Sequence, residues 1–199
     1  ATHGESLVAD YNGDGLSDAM AVNTAGDGEK YEVALSIGTD FAAVEQWGNR
    51  PGLTEADWSF MAAGDFGGSG ASLADGRSDL VQRRSDTGAL WVALSTEKEN
   101  LAGDLIDTFD IANWGGPFNV DATWSDLRTG DFTGDGRDDV IGRDQDGSWQ
   151  AAVSMGTSFR SDSAGSWDPK AYEHTLVGDW NGDGLDDIAA VDPTTGAWV

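Results

Sequence analysis

Short apolar segments with alternating polar positions recur along the chain in pairs, and a polar turn that contains glycine joins the two members of each pair. The first segment reads DAMAV, DLVQR, DVIGR or DIAAV, and the second reads YEVALS, LWVALS, SWQAAVS or AWV. Alternation over about four to eight residues is typical of half-buried strands, and no stretch has the spacing of an amphipathic helix. The pattern therefore predicts an all-β protein made of repeated, short antiparallel strands. An aromatic residue marks the second strand of each unit: Tyr31, Trp91, Trp149 and Trp198.

A loop rich in aspartate and glycine precedes the first strand of every pair. In GDFTGDGRDDV, oxygen-bearing side chains occupy positions one, three, five and nine of a loop that starts at Asp131. The same positions are filled in the loops that start at Asp10 and Asp179, whereas the loop from Asp65 has an insertion at residues 69–74. Such repetition indicates one structural unit per loop. We expect three full units, 1–55, 56–121 and 122–169, and an incomplete fourth unit, 170–199.

The spacing of these oxygens predicts calcium binding. Carboxylates crowded into one short loop repel one another unless a cation lies among them, and calcium accepts about six to eight oxygen ligands with flexible geometry. Each predicted site uses side-chain oxygens and the main-chain carbonyl of position seven. The predicted ligands are Asp10, Asn12, Asp14, Leu16 and Asp18; Asp131, Thr133, Asp135, Arg137 and Asp139; and Asp179, Asn181, Asp183, Leu185 and Asp187.

The second loop departs from the pattern, so its metal binding is left open. Gly67 replaces the ligand at position three, and the insertion lengthens the turn. The remaining candidate ligands are Asp65, Asp75, the Arg77 carbonyl and Asp79. They can converge if the inserted residues bulge outward.

An EF-hand shares the opening of this motif, but the sequence excludes it. That loop needs a glutamate at position twelve and a helix on each side. Position twelve here is Ala21, Gly142 or Ala190, and a short strand follows instead of a helix.

The loop, the strand after it and the following W-x-A-A-x-S-x-G-T-x-F pattern resemble the FG-GAP/VCBS repeat family, whose blades are related to the integrin α-chain propeller. The resemblance covers nearly the whole chain. It implies β-propeller blades whose loops bind calcium, and it implies no catalytic activity. A propeller has about four to eight blades, so we expect the remaining blades of a larger parent protein, or a second copy of this chain, to complete the ring.

Composition narrows the range of partners and compartments. The chain has 11 basic and 36 acidic residues, a formal net charge of −25, which opposes binding to nucleic acid or to anionic membrane surfaces. It has no cysteine and no apolar run long enough to span a membrane. A start at Ala1 and calcium loops of this open type lead us to expect a secreted or cell-surface protein.

Function is less constrained than fold. Only His3 and His174 have side chains that titrate near neutral pH when unperturbed, and no nucleophile or metalloprotease motif is present, so we expect no enzyme. The recurring aromatic residues are explained first as packing between blades. Trp47, Trp114 and Trp167 occur in variable connections, where an indole that is exposed can instead stack on a sugar. We expect a module that recognises a glycan or a protein at a cell or matrix surface. The alternatives are a structural spacer in a large surface protein and an accessory domain of a secreted polysaccharide-degrading enzyme.

Overall fold

The computed structural model describes residues 3–26, 28–51, 57–68 and 73–199, which form fourteen β-strands. Three sheets have four strands each, and the fourth has two. The first sheet contains β1 (His3–Ala9), β2 (Asp18–Asn23), β3 (Lys30–Ala34) and β4 (Glu45–Asn49). The second contains β5 (Trp58–Gly64), β6 (Asp79–Arg84), β7 (Leu90–Glu99) and β8 (Leu105–Gly115). The third contains β9 (Trp124–Gly130), β10 (Asp139–Asp144), β11 (Ser148–Ser154) and β12 (Phe159–Ser166), and the fourth contains β13 (Glu173–Gly178) and β14 (Asp187–Val191).

Every sheet is an antiparallel meander in chain order. The prediction of an all-β repeat is therefore confirmed, and each sheet falls within one of the four predicted units. A single bridge between Val191 and Trp198 extends the two-stranded fourth sheet. The described residues form no closed barrel or propeller. Residues 69–72 of the predicted insertion lie outside the described part of the chain.

The aspartate at position nine of each loop is also the first residue of a strand. β2, β6, β10 and β14 begin at Asp18, Asp79, Asp139 and Asp187. The loop can reverse direction before that point because two of its glycines adopt left-handed φ, for example Gly134 at 72° and Gly136 at 86°.

The cores lie between successive sheets. One cluster joins the first sheet to the second, another joins the second to the third, and a smaller one joins the third to the fourth. The first five residues of β6 and of β10 are buried, because the second and third sheets are covered on both faces. β2 alternates between buried and half-buried residues, since the first sheet is covered on one face.

Aromatic rings fill the first core. Tyr11, Trp47 and Tyr31 all pack edge-to-face against Phe109, which comes from the second sheet, with centroids 5.3–6.0 Å apart. Such contacts add to the stabilisation from burial of the rings. The aromatic residues that recur in the sequence thus hold one sheet to the next.

Strand register corrects one predicted correspondence. Tyr31 pairs with Val22 and Trp149 pairs with Arg143. In the second sheet the matching partner is Leu90, paired with Arg83, whereas Trp91 pairs with Gln82. A one-residue shift moves a side chain to the opposite face of the sheet, so Leu90 is buried in the position that Tyr31 and Trp149 occupy, and Trp91 points to the other face.

None of the described residues belongs to a helix long and apolar enough to cross a membrane.

Candidate functional site

The three intact loops share one hydrogen-bond arrangement. In the first, the Asp10 carboxylate accepts the amides of Gly13, Asp14 and Gly15 at 2.8, 3.1 and 2.7 Å. Asp131 accepts the equivalent three amides at 2.7, 3.2 and 2.8 Å, and Asp179 accepts them at 2.7, 3.2 and 3.0 Å. These bonds lower the pKa of Asp179, because they stabilise its ionised form. Position one therefore organises the backbone of its own loop.

Positions three and five complete the turn. Asp14, Asp135 and Asp183 each accept the amide of position seven, at 2.8, 3.0 and 2.9 Å. Asn12 and Asn181 accept the amide of position five, at 3.2 and 2.8 Å. The Asn12 amide group also donates to Asp14 at 3.0 Å. Asp14, Thr133 and Asp135 are exposed, so their oxygens are accessible from solvent.

Position nine joins the loop to the sheet. One Asp18 oxygen accepts the amide of Tyr11 at 2.9 Å, and the other accepts the amide of Ser36 at 2.8 Å. Asp79 repeats this arrangement with Phe66 and Ser95, at 2.9 and 2.7 Å. Asp187 accepts the amide of Trp180 at 3.2 Å. The sequence predicted a metal ligand here and missed this second role.

Asp139 differs from its counterparts. Its Oδ1 accepts the Ser154 amide at 2.8 Å, and the Phe132 amide also stabilises the carboxylate, but the buried Oδ2 has no well-formed hydrogen bond among the described residues. Burial raises the pKa of Asp139 to about 6, and the nearby carboxylates of Asp135 and Asp131 contribute to the increase. A buried carboxylate oxygen without a donor is unfavourable, and a bound cation would satisfy it.

The second loop retains the pattern despite its insertion. Asp65 accepts the amides of Gly67 at 3.2 Å and of Gly76 at 2.7 Å. The Gly76 amide therefore bonds to position one of its loop, as the Gly15 amide does in the first loop. Asp75 accepts the Arg77 amide at 3.1 Å, as position five does elsewhere. Burial raises the pKa of Asp65, and it raises that of Asp79 well above its ordinary value.

Position eight links consecutive loops, and sequence reasoning missed it. The amide of Asp138 donates to the Asp65 carbonyl at 2.7 Å, and an Asp138 carboxylate oxygen accepts the Asp65 amide at 2.7 Å. Asp186 makes the same two bonds with Asp131, at 2.8 and 2.9 Å. Ser78 makes the first of them with Asp10, at 2.7 Å. Burial raises the pKa of Asp138 to about 6, and repulsion from Asp65 and Asp186 adds to the effect.

The side chains at position seven contact neighbouring elements. A methyl group at Gly13 would lie 3.1 Å from Arg77 Cγ, and one at Gly134 would lie 2.6 Å from Leu185 Cδ2. These side chains therefore rest on the glycines of the preceding loop. Arg77 also binds Asp107 at 2.8 Å, and Arg137 forms an ion pair with Asp135 within its own loop. Leu16 is exposed.

The described residues contain no group of three or more His, Cys, Asp or Glu side chains arranged to hold a metal ion. Many of the loop oxygens instead accept backbone amides. The donor set nevertheless suits a hard cation, because it consists of carboxylate, amide and hydroxyl oxygens without nitrogen or sulfur ligands. A carboxylate has about four lone-pair directions, and hydrogen bonds occupy only two of those of Asp18.

The tryptophans predicted to stack on a sugar are packing residues. Trp47 lies in β4 and is 1% exposed, and Trp114 lies in β8 and is 6% exposed. Both indoles are held within the cores between sheets, so the packing explanation holds for them and neither ring is exposed for stacking on a sugar. Trp167 is half-buried between Trp149 and Tyr172, with centroids 5.0 and 5.1 Å away.

Arg50, three residues after Trp47 in sequence, is also internal. Its guanidinium binds Glu5 at 2.6 Å, Glu29 at 3.1 Å and Gln82 at 2.5 Å, and it lies over the Trp58 ring. These contacts occupy it within the junction of the first two sheets. Of the two histidines, His174 is exposed on an irregular part of β13 with φ of 53°, and the side chain of His3 lies outside the described part.

In comparisons of this chain with known proteins, no family model, curated protein or solved structure matches it. The FG-GAP/VCBS resemblance stays a prediction that rests on the repeated motif.

Ser154 offers a test of how strongly the loops are joined across sheets. Its hydroxyl donates to the Phe66 carbonyl at 2.7 Å and accepts the Gly156 amide at 3.2 Å. We expect Ser154→Ala to lower the free energy of unfolding by about 1–3 kcal/mol, because the buried carbonyl loses its bond to the hydroxyl. Urea denaturation measures the change.

Ser36 is the matched control. Its hydroxyl accepts the Gly38 amide at 3.2 Å, as Ser154 does with Gly156, but it belongs to the first sheet. We expect Ser36→Ala to cost less than about 1 kcal/mol. Equal losses in the two variants would contradict the assignment of stability to the bond between sheets.

Proposed function

We propose that this chain is a calcium-binding, non-catalytic module built of propeller-type blades that recognises a protein partner outside the cell. The observation that carries the proposal is the threefold repetition of one loop conformation around carboxylates at positions one, five and nine. Turn formation alone accounts for glycine and asparagine in such loops. Turn formation and bonds to backbone amides account for each acidic residue singly, but three carboxylates in the same loop still repel one another without a cation.

The first loop best supports the metal assignment. Asp10, Asp14 and Asp18 would supply carboxylate oxygens, with Asn12 and the Leu16 carbonyl as neutral ligands. Asp14 is exposed and bonded only to its own loop in the contacts described above. Its side chain and that of Asn12 can therefore turn from the backbone toward an ion at little cost. A bound calcium would offset the repulsion and fix the loop.

The third loop offers independent support. The Oδ2 of Asp139 is a buried, charged acceptor without a well-formed hydrogen bond among the described residues, and a carboxylate in this condition destabilises the folded protein. Calcium at Asp131, Asp135 and Asp139 would remove that penalty, because it supplies the missing positive charge. The proposed ion has a stabilising role and takes part in no reaction.

The proposed partner is a protein and not a glycan, because two of the three indoles expected to bind sugar lie in the cores. The formal net charge of −25 favours a partner with a basic surface, since complementary charge accelerates association and favours specific binding. The loops and sheets of this chain hold its own acidic surface in a fixed shape. The acidic side chains that accept backbone amides are poorly placed for general acid or base catalysis. A structural spacer remains the alternative if no partner binds.

Chelation tests the metal assignment. We expect EGTA to lower the melting temperature, because an ion that binds only the folded state stabilises it by about 2.7 kcal/mol per site at a hundred times its Kd. For a chain of this size that corresponds to about 5–11 °C per site. Calorimetry with excess calcium, with excess magnesium and with EGTA measures the effect. An identical melt in all three conditions would reject the proposal.

Two neighbouring substitutions separate ligand from non-ligand carboxylates. We expect Asp135→Ala to remove about one bound calcium per chain, because it deletes a proposed ligand. Asp138→Ala removes the same charge three residues further along the chain. In the unmodified chain the Asp138 carboxylate accepts the Asp65 amide and is not a proposed ligand, so we expect the ion count to be unchanged. Elemental analysis of dialysed protein gives the count. Loss of an ion in both variants would show that general charge, and not ligation, holds the metal.

A glycan-array screen in millimolar calcium, repeated in EGTA, tests the choice of partner. We expect no sugar class to be retained, because Trp47 and Trp114 are buried. An immobilised basic protein, captured in calcium and released by salt, is the positive arm of the experiment. Calcium-dependent retention of one sugar class would instead identify a lectin.

A further inference from the structure

The three places where consecutive sheets meet share one set of contacts, which we call the inter-sheet junction. In each, the amide at position eight of a loop donates to the carbonyl at position one of the preceding loop. The pairs are Ser78 with Asp10, Asp138 with Asp65, and Asp186 with Asp131, at 2.7, 2.7 and 2.8 Å. The side chain at position seven lies on the preceding loop, as Leu185 does on Gly134.

The junction also has an apolar part. The preceding sheet contributes the aromatic residue at position two of its loop, and Tyr11 and Phe66 are completely buried there. The following sheet contributes residues of its second and third strands and the aromatic residue that starts or lies in its fourth strand. In the first junction these are Leu80, Ala93 and Phe109.

The first sheet has the groups that a following sheet contributes to an inter-sheet junction, but among the described residues they pack against no preceding sheet. Phe41 is bridged to Ser36 as Phe109 is paired with Ser95, yet Phe41 is 52% exposed and Phe109 only 5%. Val44 is 62% exposed. A groove of about 470 Å³ runs over this face, lined mainly by apolar residues of β1, β2 and β3 and by Val44, with Ser6 and Glu32 as its polar residues. Leu16 and Ser17, at positions seven and eight of the first loop, are exposed.

The fourth sheet has the groups that a preceding sheet contributes to an inter-sheet junction, but among the described residues no following sheet packs against them. Trp180, at position two of its loop, is 58% exposed, where Tyr11 and Phe66 are fully buried. Leu176 and Trp198 of the same sheet are also exposed. A methyl group at Gly182 would touch nothing within 4 Å, although the equivalent Gly13 and Gly134 lie against the next loop.

We propose that a second copy of this chain docks its first sheet onto the fourth sheet of this one, head to tail, and rebuilds the inter-sheet junction. The amide of Ser17 would donate to the Asp179 carbonyl, as Ser78 does to Asp10. Leu16 would rest on Gly182, as the identical residue type at position 185 rests on Gly134. Phe41 and Val44 would cover Trp180.

We expect the docked partner to be a second copy because one chain carries both complementary surfaces, one on its first sheet and the other on its fourth. The three internal junctions show that surfaces of these two kinds pack together. Full cover of both faces is also the state of the second and third sheets, whose central strands β6 and β10 are buried throughout their first five residues. A contact of this kind joins different surfaces of the two copies, so it produces dimers that close on themselves or longer assemblies. The contacts are apolar or involve the backbone, so this proposal does not rest on the proposed function.

The net charge of the chain determines the salt concentration at which association must be measured. Each copy has a formal net charge of −25, and two copies repel at low ionic strength. At about 0.15 M salt the Debye length is about 8 Å, which screens all but the nearest charges. Sedimentation velocity of the intact chain at that salt or above, from low concentration to the solubility limit, measures association.

Two blocking variants test the direction of the contact. Trp180→Glu blocks the fourth sheet, and Val44→Glu blocks the first. Leu101→Glu adds the same charge at a fully exposed turn residue and serves as the control. We expect the unmodified chain and the control to associate and each blocked variant alone to stay monomeric. A mixture of the two blocked variants should form a one-to-one dimer, because one retains a free first sheet and the other a free fourth sheet.

Three results would overturn the proposal. The first is an unmodified chain that stays monomeric at every concentration. The second is association of either blocked variant alone, since that requires a like-with-like contact. The third is failure of the mixture to form dimers while the unmodified chain associates. Near-ultraviolet circular dichroism confirms that each variant is folded, and Phe41→Glu replaces Val44→Glu if that variant is not.

Discussion

The buried aspartate at position nine is the constraint on which the rest of each repeat depends. Its carboxylate is removed from water, which is tolerated only when hydrogen-bond donors replace the solvent. In the first two sheets those donors are the amide at position two of the loop and an amide in the third strand or just beyond it, for example Tyr11 and Ser36 around Asp18. The loop, the strand that follows it and the third strand are therefore fixed relative to one another by one side chain.

The same acidic residues that order the loops also oppose one another. Asp138 and Asp139 are adjacent, and burial together with neighbouring carboxylates makes ionisation of both less favourable than in water. Backbone amides compensate only in part, because they are dipoles and not full charges. A divalent cation would supply the missing charge, which is why the structural role of the loops and the proposed metal site are two aspects of a single electrostatic balance.

Much of the architecture follows from local sequence. The strand after each loop could be predicted because DAMAV and DVIGR alternate or run apolar immediately after a turn rich in glycine. Packing between sheets could be expected for the recurring aromatic residues as a group, but no local pattern decided it for Trp47 and Trp114 individually, because an indole in a variable connection looks the same whether a neighbouring sheet covers it or not. The link from Asp138 to Asp65 spans 73 residues, and no local pattern distinguishes its carboxylate from that of Asp139. Leu90, and not Trp91, occupies the buried position because of strand register, which is set by pairing between strands and cannot be read from local sequence.

The difference in cover between the inner and outer sheets has a consequence for cooperativity. When each unit touches only its neighbours, stability approaches a sum of the stability of each unit and of the interfaces between units. The second and third sheets each take part in two such interfaces, whereas the first and fourth take part in one. Among the contacts within this chain alone, local opening therefore costs least at the first and fourth sheets, where only one interface has to be broken.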